Sequence, residues 1–146
     1  MLFFTGFSRR ASEIVAEQLQ NIPKKEKELA EMAGMVDEGL RILTTGRDLA
    51  DFGRLLHEGW QLKRSLSSRV STPAIDAMYD TARKAGALGG KIAGAGGGGF
   101  LLLYVEADRR EAVKKALSHI LHVPFDLDHS GSQIIFSNPL PLETVT

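Results

Sequence analysis

The residues from Gly86 to Phe100 hold eight of the chain's fifteen glycines. Glycine loses more conformational entropy on ordering than any other residue, so such a concentration needs a physical reason. Either the backbone adopts left-handed angles there, or it comes close to something that a Cβ would block. Rows of amide N–H groups in such loops form concavities that take anions, and phosphate is the first ligand to consider. Gly94, Gly96 and Gly99 satisfy the spacing G-x-G-x-x-G, but a run this rich in glycine matches almost any glycine pattern. The dinucleotide fingerprint also requires a helix directly after the loop. Here the apolar run Phe100 to Val105 follows, which reads as a buried strand. A Walker-type loop would end in Gly-Lys-Ser or Gly-Lys-Thr, and the nearby Lys91 lies before the run. Both common nucleotide motifs are excluded. An anion cradle and a flexible connection between two strands both remain open.

Other side chains could serve a site. Arg9 and Arg10 fall at the start of a predicted helix, where the dipole disfavours cations. They either point into water or face an anionic ligand. Lys63 and Arg64 near a helix end suit its negative pole, and Ser65, Ser67 and Ser68 behind them either terminate the helix or line a site. His119 and His122 lie three apart on a predicted helix without a third ligand at metal spacing, which favours surface histidines. Asp126 and Asp128 share a face of a predicted strand but have no Brønsted partner. No serine sits in a nucleophile elbow. The residues alone supply no catalytic constellation.

Eighteen basic side chains balance eighteen acidic ones, which argues against nucleic acid or an anionic membrane as the main partner. The absence of cysteine excludes disulfides, thiol catalysis and thiolate metal sites. No apolar run approaches a membrane span of roughly 20 residues, and the start lacks the pattern of a signal peptide. A soluble, cytoplasmic protein is the expectation, with residues 1–146 as a single domain.

The elements that must position these residues follow from periodicity and punctuation. Leu2 to Thr5 reads as a strand, and Ser8 as the cap of a helix carrying Ala11, Ile14, Val15, Leu19 and Ile22 on one face. Pro23 opens a second helix, Lys24 to Thr45, with the stripe Leu29, Met32, Val36, Leu40 and Leu43. Gly46 stops it and Asp48 caps a third, anchored by Trp60. Thr72-Pro73 starts a fourth, with Ile75, Met78, Tyr79 and Ala82 inward and Gly86 at its end. After the glycine-rich hairpin, Asp108 to Glu111 reads as a capping box for a helix that Pro124 ends. Phe125 to Asp128 and Gln133 to Phe136 form a last extended segment, and the tail from Pro139 is expected to be loosely attached. Strand, helices, strand, strand, helix, strand is the order of an α+β, ferredoxin-like split β-α-β sandwich. Extra helices fill its first crossover, over a mainly antiparallel four-stranded sheet with strands one and three central.

The segment Lys91-Ile92-Ala93-Gly94-Ala95-Gly96-Gly97-Gly98-Gly99-Phe100 resembles the third signature motif of the GHMP kinases, the superfamily of galactokinase, homoserine kinase, mevalonate kinase and phosphomevalonate kinase. That motif lies between two strands of a ferredoxin-like C-terminal domain. Phe4 to Arg9, Trp60 to Lys63 and Ser71 to Asp76 look like the sugar-phosphate branch that phosphorylates D-glycero-D-manno-heptose 7-phosphate. The resemblance implies an ATP site completed by Gly94, Ala95, Gly96, Gly97, Gly98 and Gly99, which brace a phosphate loop from an N-terminal domain. Positioning and charge stabilisation are what phosphoryl transfer demands of such a loop. By the same analogy Arg9, Lys63, Ser65 and Ser67 are candidates for the sugar-phosphate side. The family's second motif, its Mg2+ ligand and its catalytic aspartate belong to the N-terminal half and are absent here. The resemblance therefore implies a kinase C-terminal domain, inactive by itself, partnered by the N-terminal domain of the same protein. Two alternatives are a non-catalytic module binding a phosphorylated metabolite, and a structural domain in which the glycines only allow close packing.

Overall fold

A computed structural model describes residues 1–136. Its sheet contains β1 (Leu2–Phe4), β2 (Gly89–Ile92), β3 (Phe100–Tyr104) and β4 (Leu121–His122) in the order β2-β3-β1-β4, every neighbouring pair antiparallel. Strands one and three are central, and β1 runs parallel to β2 with β3 between them, as the split β-α-β plan requires. Four helices fill the first crossover: α1 (Ala11–Asn21), α2 (Glu26–Thr44), α3 (Leu49–Ser65) and α4 (Pro73–Lys84). The second crossover holds α5 (Arg110–Ala116). The α+β, ferredoxin-like architecture is thus the observed one.

Alternation along the strands decides the core. Phe3 pairs with Leu101, Leu101 with Ile92 and Leu103 with Gly90, so these side chains share one face. That face is buried together with Ile75, Tyr79 and Ala82 of α4, Val113 of α5 and Leu117 just after that helix. Burying each large apolar side chain contributes roughly 1.5–3 kcal/mol. The Thr72 hydroxyl accepts from the Ile75 N–H at 3.3 Å and fixes the start of α4. Asp48 caps α3 by accepting from the Ala50 N–H at 2.9 Å. Trp60 of α3 reaches the core beside Tyr79, with ring centroids 6.2 Å apart. Helix and strand approach closely where Gly53 of α3 meets β2 and β3; a Cβ on Gly53 would stand 2.6 Å from the Tyr104 ring.

Several local expectations are corrected. Arg10, not Ser8, occupies the cap position of α1, without a side-chain cap. The carbonyl of Phe7 is held by the Gly99 N–H, which keeps the chain extended past Ser8. Pro23 sits in a 3₁₀ turn, Ile22–Lys24, and α2 begins at Glu26. Asp108 lies in another 3₁₀ turn, Ala107–Arg109, so the capping box does not form. The last strand is Leu121–His122, where Phe3 and Phe4 offer an open strand edge. Residues Phe125 to Phe136 carry no strand, so Asp126 and Asp128 share no strand face. His119 falls in a turn and His122 in β4, because α5 ends at Ala116. The expected tail from Pro139 lies outside the described residues.

Candidate functional site

The connection from β2 to β3 is the glycine loop, and its second half is set by backbone contacts. Gly96 and Gly97 have φ of +116° and +70°, a region that favours glycine. The Gly97 N–H donates to the Val70 carbonyl and the Gly99 N–H to that of Phe7, both at 2.8 Å. The Gly99 carbonyl accepts from the N–H and the hydroxyl of Thr5, both at 2.9 Å, which satisfies the buried Thr5 side chain. A Cβ on Gly98 would lie 2.7 Å from the Phe7 carbonyl oxygen, so this half is pressed against the chain entering α1.

The first half is held differently, by side chains from two helices. Lys63 Nζ of α3 donates to the Gly94 carbonyl at 2.5 Å, and Gln18 Nε2 of α1 donates to the Ala95 carbonyl at 3.2 Å. The chain contains no cis peptide among the described residues. In a planar trans peptide the N–H points opposite the carbonyl, so the Ala95 and Gly96 N–H groups face away from Lys63 and Gln18. The negative ends of two peptide dipoles are thereby capped, and their positive ends lie on the side of the loop opposite these two side chains. Burial, and then the nearby Lys91, holds the Lys63 ammonium below the ordinary lysine range.

The other residues singled out from sequence are distributed on both sides of the loop. Arg9 lines a cavity of about 250 Å³ with Glu13, Ser68, Arg69, Ser71 and Thr72. Ile14 is common to that cavity and to the packing of Gly97. Arg69 is paired with Glu17 at 3.0 Å, while Arg9 has no carboxylate partner among the described residues. The Ser71 hydroxyl donates to Asp76 at 2.6 Å, and Arg64 pairs with the same carboxylate at 2.8 Å. Ser65 donates to the Leu62 carbonyl within its own helix at 2.8 Å. Ser67 is buried, and its oxygen accepts from the Arg69 N–H at 3.1 Å. Hydrogen bonding by Ser67, then Ser68, with Arg69 alongside, holds the Glu17 carboxyl below its usual range. The fold thus brings Arg9 to one flank of the loop and Lys63 to the other, with Ser65 and Ser67 engaged in local bonds.

Gln18 and Thr5 were not legible as site residues. Gln18 reads as one more polar position on an amphipathic helix, and only the fold carries it to a loop 77 residues away. Tyr79 lies on the inward face of α4 and also bonds His57 Nδ1 at 2.8 Å, with burial pushing its hydroxyl up to about 12. Among the described residues no group of three His, Cys, Asp or Glu side chains could hold a metal.

A family model described as GHMP kinases C terminal matches residues 38–122, more than half of the chain. The chain belongs to this family. It is 32% identical over 120 residues to the D-glycero-alpha-D-manno-heptose 7-phosphate kinase of Campylobacter jejuni, covering 80% of this chain and 35% of that protein. It is 30% identical over 116 residues to the mevalonate kinase of Methanocaldococcus jannaschii, covering 80% of this chain and 36% of the relative. Identity to the galactokinase of Streptomyces coelicolor is 38% over 82 residues, 56% of this chain and 21% of the relative. Among solved structures, L. major mevalonate kinase in complex with R-mevalonate superposes with a TM-score of 0.69 at 25% identity, over 81% of this chain and 37% of that one. This GHMP kinase domain spans about a third of the length of the heptose and mevalonate kinases it matches. No helix among the described residues is long and apolar enough to cross a membrane.

Proposed function

We propose that this chain is the C-terminal domain of an ATP-dependent kinase whose acceptor is a sugar or sugar phosphate. Gly94, Ala95, Gly96, Gly97, Gly98 and Gly99 complete the site for the ATP phosphates. The observation that supports the reading is the capping of the Gly94 and Ala95 carbonyls by Lys63 and Gln18, which leaves the following amides on the opposite side of the loop. ATP supplies the phosphoryl group, and Mg2+ shields its charge. The ligands of the metal and the catalytic aspartate lie in an N-terminal domain of the same polypeptide, so this chain by itself does not turn over ATP. Its own contribution is rigid positioning: the loop amides cradle negative charge, and the ammonium of Lys63 adds a positive field beside them. Arg9 is our candidate for an anionic group of the acceptor; its place in a cavity with Arg69 and the Thr72 hydroxyl, beside Glu13, supports this assignment. The heptose 7-phosphate kinase and galactokinase relatives support a sugar, and the mevalonate kinases mark the competing acceptor class. The reaction is soluble cytoplasmic chemistry on a small molecule.

The informative substitution is Gly94→Val in the full-length kinase. A Cβ there meets no atom within 4 Å, so packing is little disturbed, although the φ of +85° adds strain. That strain costs about 1–2 kcal/mol. Catalytic efficiency toward ATP should fall by about a hundredfold, equivalent to roughly 2.7 kcal/mol. Activity lost only in proportion to stability would instead favour a purely structural loop.

A further inference from the structure

Helix α1 turns its polar side inward. Its least exposed positions are Ile14, Glu17, Gln18 and Asn21, an i, i+3, i+4, i+7 set that shares one face. Of the apolar side read from the sequence, Ile14 is buried, while Val15, Leu19 and Ile22 stand 38%, 59% and 43% exposed. Burial of apolar area alone would turn the helix the other way. The inward polar groups are all engaged. Gln18 holds the Ala95 carbonyl of the glycine loop, and Asn21 Nδ2 donates to the Leu66 carbonyl at 2.8 Å. Glu17 Oε1 accepts from both the N–H and the hydroxyl of Ser68, each at 3.0 Å, and Oε2 pairs with Arg69 Nε at 3.0 Å.

These bonds reach the loop by a short path. Glu17 fixes Ser68 and Arg69, and the next residue, Val70, accepts from the Gly97 N–H at 2.8 Å. A Cβ on Gly96 would stand 2.6 Å from that Val70 oxygen, and one on Gly97 would stand 3.1 Å from the Arg69 oxygen. The loop therefore rests directly on this turn. Residues 66–72 belong to no helix or strand, so side-chain contacts such as those of Glu17 set their shape. We infer that Glu17 is a positioning residue of the kinase: through Ser68 and Val70 it sets the glycine loop for the ATP phosphates. The inference rests on the ATP reading of that loop. Glu17 makes no bond to the loop itself and acts by hydrogen-bond reach. Its pairing with Arg69, whose side chain is 57% exposed, contributes little, so the oxygen that Ser68 meets matters more than the charge.

Calorimetric titration of the full-length kinase with MgATP tests this, with unfolding midpoints measured beside it. Glu17→Ala removes the acceptor, and Glu17→Asp keeps the charge but draws it back by one methylene. Both should weaken ATP binding by about tenfold, equivalent to about 1.4 kcal/mol. The aspartate variant carries the test where the alanine variant does not fold. Glu17→Gln keeps an oxygen for Ser68 and abolishes the ion pair with Arg69, and it should bind within about twofold of the wild type. Gln20→Ala, at an exposed position on the same helix, should leave binding unchanged. A purely structural Glu17 would lower the midpoint and leave the ATP affinity of the folded protein intact, and that result overturns the inference. So does a Glu17→Gln protein that binds as weakly as Glu17→Ala, which assigns the effect to charge. If the wild-type protein binds no MgATP, the kinase reading itself fails and the inference falls with it.

Discussion

Helices α4 and α2 are both amphipathic, yet they meet opposite fates. The stripe of α4, with Ile75, Tyr79 and Ala82, is 0–1% exposed, whereas Val36, Leu40 and Leu43 of α2 remain more than half exposed. The cause is connection geometry. A short turn at Gly86 joins α4 to β2, which lays its apolar face directly on the sheet. The Pro23 turn before α2 and the left-handed Gly46 after it set that helix on α3 instead, one layer removed. Only the side bearing Gly39 and Ile42 is buried there. The lesson is that periodicity reports a helix's need for a partner, and topology decides whether this chain supplies it.

The largest expected effect comes from the buried side of this comparison. Tyr79→Ala removes a core aromatic together with its bond to His57, and should cost about 3–5 kcal/mol in denaturant unfolding, as for other large aromatic truncations. Leu40→Ala in the isolated chain should change stability by no more than about 0.5 kcal/mol, because that side chain is already in water. A loss comparable to Tyr79→Ala would show that the stripe of α2 is covered in solution and would break the contrast. The smallest effect is a pH dependence at the junction of α3 and α4. Burial, and then Arg83, keeps His57 below its ordinary value of 6.5. The unfolded chain therefore takes up a proton near pH 6.5 that the folded chain refuses until lower pH. Stability should decline as pH falls from about 6.5 toward the depressed pKa, and His57 should contribute no slope above that window. Unfolding midpoints between pH 5 and 8 should lose this contribution in His57→Gln. An unchanged profile would mean that the ring is freely solvated.

Much of the architecture was legible because its signals are local. Thr72-Pro73, Asp48 and Gly46 punctuate the helices as their chemistry requires, and the β2–β3 hairpin follows from glycine punctuation beside an apolar run. Legibility failed where local signals were weak or outcompeted. The two-residue β4 has too little sequence to show a period, while the more strand-like Phe125 to Phe136 finds no pairing edge among the described residues. Ser8 is a good cap by composition, but the tie between Phe7 and Gly99 delays the helix.

By itself the sequence determined the five helices, the split β-α-β order and the place of the glycine-rich connection between two strands. Glycine content, capping residues and apolar period act within a few positions and need no tertiary context. The tertiary structure decided which face of each helix is covered and which carbonyls of the loop are capped. Lys63 lies 31 residues from Gly94 and Gln18 lies 77 from Ala95. Side chains so distant in sequence meet only because the crossover helices return α1 and α3 to the end of β2. No local preference of lysine or glutamine encodes that meeting.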